Sequence, residues 1–186
     1  MKKTLQKAFT MVELLIVIGI IGTLSVVVIA NLNPGETQKK LRDTERIKGI
    51  AEIYNAIDSF VNDGNFIGVV ALRRTDTLTV TQQVCGVANF TTFNLCPYLK
   101  KVPLDPRNGR STQFISRAPG GALTTQTAQY RLRIDVNGDF KVSARLESVG
   151  NLAKLASDLG TDATATPNGS PDYFEMFSAN GAALVP

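Results

Sequence analysis

Glu13 is the only charged residue in the apolar run from Phe9 to Ala30. A carboxylate in that setting does one kind of chemistry well: it pairs with a cation where the dielectric is low, because each charge left alone there is expensive. Other residues with chemical potential are few. Asp135, Asn137 and Asp139 alternate as calcium-loop ligands do, but the downstream Gly and bidentate Glu of such a loop are missing. Asp and Asn are ordinary residues at a hairpin tip, so no metal is expected there. Cys85 and Cys96 are the only cysteines, and there is no His. His-based triads, His general bases and His metal sites are therefore excluded. Neither a GxxxxGK(S/T) phosphate loop nor a GxGxxG turn occurs. No carboxylate pair stands out, so neither catalysis nor a cofactor is expected.

The element carrying Glu13 is a hydrophobic segment behind a basic leader. Lys2, Lys3 and Lys7 precede it with no acidic residue among them. Phe9–Ala30 is 22 residues long, about 33 Å as a helix, enough to span a bilayer core. The leader charges favour a cytoplasmic N-terminus with the C-terminal bulk outside. Lys39, Lys40 and Arg42 oppose this orientation modestly. A cleaved secretory signal is the alternative, with Thr23-Leu24-Ser25 as a loose small-x-small site, although the run from Leu14 to Ala30 exceeds a usual h-region.

The leader, the Ala8-Phe9 junction, Phe9-Thr10-Met11-Val12-Glu13-Leu14-Leu15 and the continuing Ile16-Val17-Ile18-Gly19-Ile20-Ile21-Gly22 together resemble the N-terminus of type IV pilins and type II secretion pseudopilins. The resemblance implies cleavage between Ala8 and Phe9 by prepilin peptidase and N-methylation of Phe9. It also implies a helix that becomes the core of a filament, and a Glu13 carboxylate that pairs with the amino terminus of Phe9 on a neighbouring subunit. The alternative for Glu13 is solvation by headgroups at the interface. Two residues depart from the family pattern. Ala8 stands where Gly is usual, and its small size is expected to permit slower cleavage. Ala30 stands where many pilins have Pro. Gly19, Gly22, Thr23 and Ser25 lower helix propensity in mid-segment. They suit close helix packing in the membrane or, by the resemblance, a helix that loosens as subunits leave the bilayer.

Beyond the apolar run, Asn33 suits an N-cap, Pro34 the first helical position and Glu36 the third. From Thr37 to Val61, Ile47, Ile50, Ala51, Tyr54, Ile57 and Val61 recur at helical spacing. Arg42, Asp43, Glu45, Arg46, Glu52 and Asp58 fall off this stripe, and Asn62-Asp63-Gly64-Asn65 is a stop. The stripe needs a sheet to lie against. The clearest sheet signal is a hairpin in Gln129–Glu147, where Tyr130, Leu132 and Ile134, then Phe140, Val142, Ala144 and Leu146, alternate with polar residues. One face is expected dry and the other wet. A two-residue turn at Asn137-Gly138 would set Ile134 beside Lys141. A three-residue loop, Val136-Asn137-Gly138, pairs Ile134 with Phe140 and Leu132 with Val142, with Gly138 in the left-handed position.

The run Pro103-Leu104-Asp105-Pro106 resembles the loop before the sheet in many pseudopilins, and otherwise reads as a Pro-rigid connection. Gly120–Gln129 reads as a polar loop, Asn151–Leu159 as a short helix with Leu152, Leu155, Ala156 and Leu159 on one side, Thr161–Pro171 as a surface loop, and Asp172–Phe177 as a last strand. Outside the cytoplasm, Cys85 and Cys96 are expected to bridge. On the entropy model this restricts the unfolded chain by roughly 3 kcal/mol; two buried thiols are the alternative.

The expected fold is α+β and ladle-shaped, with a long N-terminal helix packed on a small antiparallel sheet. The expected divisions are a leader at 1–8, a membrane and filament-core helix at 9–30, its amphipathic continuation at 31–62 and an extracytoplasmic globular domain at 63–186. Its expected partners are its own copies, prepilin peptidase, inner-membrane assembly machinery and lipid before assembly. The expected locations are the inner membrane, then a cell-surface or periplasmic filament. The rivals are a secretion pseudopilus subunit, a DNA-uptake pilin and an anchored binding domain that never polymerises. Nucleic acid is not an expected partner: the leader holds three of the 20 Lys and Arg and none of the 16 acids, so residues from Phe9 onward carry 17 basic and 16 acidic side chains. Arg107, Arg110 and Arg117 are the residues that could still gather into a local patch.

Overall fold

The computed structural model describes residues 9–31, 33–65, 70–75, 95, 97–116, 123–158 and 172–179. The chain divides into two compact units, Met1–Thr37 and Gln38–Pro186. The class is α+β, with a long apolar N-terminal helix followed by small antiparallel sheets. The calls on Ala8, Cys85, Cys96, Arg117, Leu159 and the 161–171 loop lie outside the described residues.

In the first unit, α1 runs unbroken over Met11–Asn31. Gly19 and Gly22 do not interrupt it. Thr23 Oγ1 and Ser25 Oγ donate back to the carbonyls of Ile20 and Ile21 at 2.9 and 2.7 Å, so both hydroxyls are satisfied without leaving the helix. Met11–Ile29 is apolar and long enough to cross a membrane, and none of it is buried.

The next helix, α2 (Pro34–Asn62), starts at the expected cap: Asn33 Oδ1 accepts from the Glu36 amide at 3.1 Å. It ends where Gly64 adopts φ 79° and donates to the Val61 carbonyl at 2.9 Å. Within the second unit its buried residues are Asp43, Arg46, Gly49, Ile50, Ile53, Ala56 and Ile57. The expected stripe holds in part. Ile50 and Ile57 are core, half-buried Ile47 and Tyr54 pack against the buried clusters and Ala51 is half-buried, but Val61 is exposed, and the ionic Asp43 and Arg46, expected off the stripe, are buried. Gly49 is required by contact: a Cβ there would stand 2.7 Å from Tyr130 Oη.

Strands β1 (Val70–Arg74), β4 (Arg131–Ile134), β5 (Phe140–Arg145) and β6 (Tyr173–Phe177) form an antiparallel sheet in the order β1-β4-β5-β6. Strands β2 (Ser111–Phe114) and β3 (Thr124–Thr127) form a separate antiparallel pair. Thr124–Thr127 is therefore strand, not loop, because β-branched residues opposite β2 complete a ladder. The central hairpin has the expected register, with Ile134 opposite Phe140 and Leu132 opposite Val142. Asp135 and Asp139 close the loop by a backbone bond of 2.9 Å, and Gly138 takes φ 83°. Ile50, Ile53, Ala56 and Ile57 of α2 pack with Leu132, Ile134, Phe140, Val142 and Ala144.

The second face of that hairpin is not wet. Lys141, Ser143 and Glu147 are at most 2% exposed. Strand β6 explains part of this, since it sets Glu175 opposite Ser143, and Lys141 Nζ donates to Glu175 Oε2 at 2.9 Å. A short 3-10 turn (Val149–Asn151) leads into α3, Leu152–Ser157. Leu155 of α3 is fully buried with Ile115 and Leu146, whereas Leu152 is 40% exposed.

Candidate functional site

Thr10-Met11-Val12-Glu13 builds the start of α1. Thr10 Oγ1 accepts from the Glu13 amide at 3.2 Å, while Glu13 Oε2 accepts from the Thr10 amide at 3.0 Å and from Thr10 Oγ1 at 2.9 Å. This is a reciprocal capping box, with Thr10 as cap and Glu13 as the third helical residue. It fixes the carboxylate over the first turn, where the helix dipole favours negative charge. Both its bonds to Thr10 fall on Oε2, leaving Oε1 without a hydrogen-bond partner among the described residues. Phe9, immediately before the cap, is 85% exposed. The structure thus brings Phe9 and Glu13 to one helix end. Thr10 was missed in the sequence, although a Thr three residues before a Glu at the head of an apolar run is the signal for it.

The flank of this carboxylate is wholly apolar and open, from Met11 at 92% exposure to Val17 at 47%. Such a helix needs lipid or other helices around it.

In the second unit the chemistry is ionic and structural. Arg46, with a fully buried side chain, donates to Asp105 through Nε at 2.7 Å and Nη2 at 3.0 Å, and to Asp43 through Nη1 at 2.9 Å. It also pairs with Glu147 at 2.6 Å. Arg42 Nη2 meets Glu147 Oε2, also at 2.6 Å. Asp43 further accepts from the Glu147 and Ser148 amides and from Asn151 Nδ2, at 2.8 to 2.9 Å. Burial works against the Arg46 charge, but Asp105 and Glu147 outweigh it and hold the guanidinium above its ordinary range. Burial alone would raise the Glu147 carboxyl. The bonds and charges of Arg42 and Arg46 reverse this and hold it below the usual carboxylate range. The knot ties α2 to the Pro103-Leu104-Asp105-Pro106 run and to the residues after β5.

At the hairpin tip, Asp135 Oδ1 accepts from the Asn137 and Asp139 amides at 2.8 and 3.0 Å, and Asp139 Oδ1 accepts from Ser178 Oγ at 2.9 Å. These carboxylates close a turn. Among the described residues no cluster of three or more His, Cys, Asp or Glu is placed to hold a metal.

No curated protein and no solved structure matches the chain. A family model does match: the prokaryotic N-terminal methylation motif, over residues 3–29. The match covers the capping box and most of α1. The chain therefore carries the N-terminal signature of the type IV pilin and pseudopilin family.

Proposed function

We propose that the protein is a structural subunit of a type IV pilus-like filament. It is made as a precursor, cut between Ala8 and Phe9 by prepilin peptidase, and methylated on the new Phe9 amine. Before assembly it sits in the inner membrane as a single-pass protein with its C-terminal bulk outside the cytoplasm. The inner-membrane assembly machinery then exchanges the lipid around α1 for sister helices, giving a cell-surface or periplasmic filament. The free oxygen of Glu13 receives the Phe9 ammonium of a neighbouring copy. One observation carries this reading: the lone carboxylate of a fully exposed apolar helix is fixed at the helix end next to Phe9. Two charges meeting there in low dielectric would set the axial register of the subunits.

A second reading, a short secretion pseudopilus, is favoured by the Pro103-Leu104-Asp105-Pro106 run, whose Asp105 anchors Arg46. It shares the same N-terminal chemistry. A Cys85–Cys96 bridge belongs to either reading as a consequence of an extracytoplasmic domain.

The test is intact mass and N-terminal sequencing of protein from native membranes and from sheared surface material. A chain starting at N-methylated Phe9 in sheared filaments is expected. A Met1 start in both fractions, or cleavage after Ser25, would overturn the reading.

A further inference from the structure

Among the described residues, strand β3 pairs on one side only and is an open sheet edge. Its ladder to β2 pairs Ser111 with Thr127 and Gln113 with Thr125. Ala128, one step beyond, spends its amide on the Arg110 carbonyl at 2.9 Å. Bonding alternates along an antiparallel pair, so Gln126 and Thr124 face β2 while the amides and carbonyls of Thr125 and Thr127 point outward. Thr125, Gln126 and Thr127 are exposed. Edges of this kind are usually blunted by charge, Pro, bulges or a covering element. The edge of β6 is covered in that way, with Asp158 Oδ2 accepting the Glu175 amide at 3.0 Å. The Thr-Thr-Gln-Thr of β3 has no Pro, no charge and no such cover among the described residues.

The sequence that carries this edge is basic. Between Pro106 and Ile134 the chain has five Arg and no Asp or Glu. Arg110 stands at the Thr127 end of β3, exposed. Arg145 stands at the other end, where Nη1 donates to Thr124 Oγ1 at 2.8 Å and pairs with Asp172 Oδ2 at 3.5 Å. An acidic strand would be met by the exposed Arg110 at the Thr127 end.

We propose that β3 is a docking edge for an extended acidic segment of a partner protein, which adds to the β2-β3 sheet as a third strand. Main-chain bonds to Thr125 and Thr127 supply the register, and the exposed Arg110 supplies the preference for acid. The surface would serve the protein whether or not it polymerises.

The test uses the full chain in detergent micelles. The probes are a short capped peptide of alternating Glu and Val, its Lys/Val counterpart, and a single-stranded oligonucleotide. The Glu/Val peptide is expected to bind at low salt and to slow hydrogen exchange at the Thr125 and Thr127 amides. Thr125→Pro removes an outward amide that the β2 ladder does not use. It should weaken binding at least about tenfold with the unfolding temperature preserved. Arg110→Glu, which leaves the strand intact, should weaken the acidic peptide and not the basic one. Absence of peptide binding, equal binding of both peptides, or binding indifferent to both variants would overturn the proposal. So would an oligonucleotide that displaces the peptide without needing the Thr125 amide, since the face would then be a plain anion surface.

Discussion

Arg46 and Asp105, 59 residues apart in sequence, meet as a buried two-point pair, Nε to Oδ2 at 2.7 Å and Nη2 to Oδ1 at 3.0 Å. The parallel geometry matches a planar guanidinium to a carboxylate. Breaking one partner of a buried pair leaves an uncompensated charge, which costs about 3–5 kcal/mol. Arg46→Met should therefore destabilise the second unit by about that amount, since Asp43, Asp105 and Glu147 would lose their shared cation. Arg46→Lys keeps the charge but loses the fork, and should fall between wild type and Arg46→Met. Denaturant unfolding of the detergent-solubilised chain reads both.

The same knot predicts a direction with pH. Glu147 is held below its ordinary value of 4.5, facing Arg42 and Arg46, while its own amide is held by Asp43. A depressed folded-state value means that the unfolded chain binds the proton more readily. The stabilisation is therefore present above about pH 4.5 and is lost as the pH falls below it towards the folded value. Denaturant midpoints should drop through that range, and Glu147→Gln should start lower at neutral pH and flatten the acid slope. An equally steep slope in the variant would assign the acid loss to other groups.

Gly49 should not tolerate a side chain. Ala gains roughly 1 kcal/mol over Gly in a helix interior. Its Cβ, however, would sit 2.7 Å from Tyr130 Oη and 2.9 Å from Cε2 of a ring that is 1% exposed. Overpacking of this kind costs about 1–3 kcal/mol, so Gly49→Ala should be net destabilising. Adding Tyr130→Phe removes the nearest atom and should recover part of the loss. A thermal-unfolding double-mutant cycle measures the coupling.

Parts of this fold were legible because local rules and tertiary outcome coincide. Side-chain parity around Asn137-Gly138 admits one register that keeps Ile134 off Lys141, and a left-handed Gly138 completes it. Asn33, Pro34 and Glu36 announce α2 by chemistry that needs no partner. The buried charges share a cause: pattern reading sends charge to the surface. Asp43 and Arg46 sit three apart and in phase with Gly49, Ile50, Ile53 and Ile57. Their burial depends on Asp105 and Glu147, which no local window contains. Lys141 is dry because β6 brings Glu175 beside it from 34 residues away. β3 reads as loop in the sequence because it is polar on both faces, so its strand character comes from β2 alone. At the N-terminus the run of residue types carried the signal, and the capping role of Thr10 became visible only in its bonds to Glu13.

That capping box separates two roles that a single substitution at Glu13 would confuse. Glu13→Ala removes both the acceptor for the Thr10 amide and the charge available to a neighbour. A plain membrane anchor should survive it, and a filament subunit should insert in the membrane but fail to appear in sheared material. Glu13→Gln is the informative companion, because Gln serves at the third helical position of a capping box as Glu does but carries no charge. If subunit pairing depends on an ion pair with the Phe9 ammonium, the Gln variant should be processed at Phe9, keep its helix start, and still yield few filaments. Quantifying sheared against membrane-bound protein for wild type, Gln and Ala decides between the roles. Full assembly of the Gln variant alongside failure of Ala would place the function of Glu13 in capping α1. Normal assembly of both would remove Glu13 from the assembly mechanism.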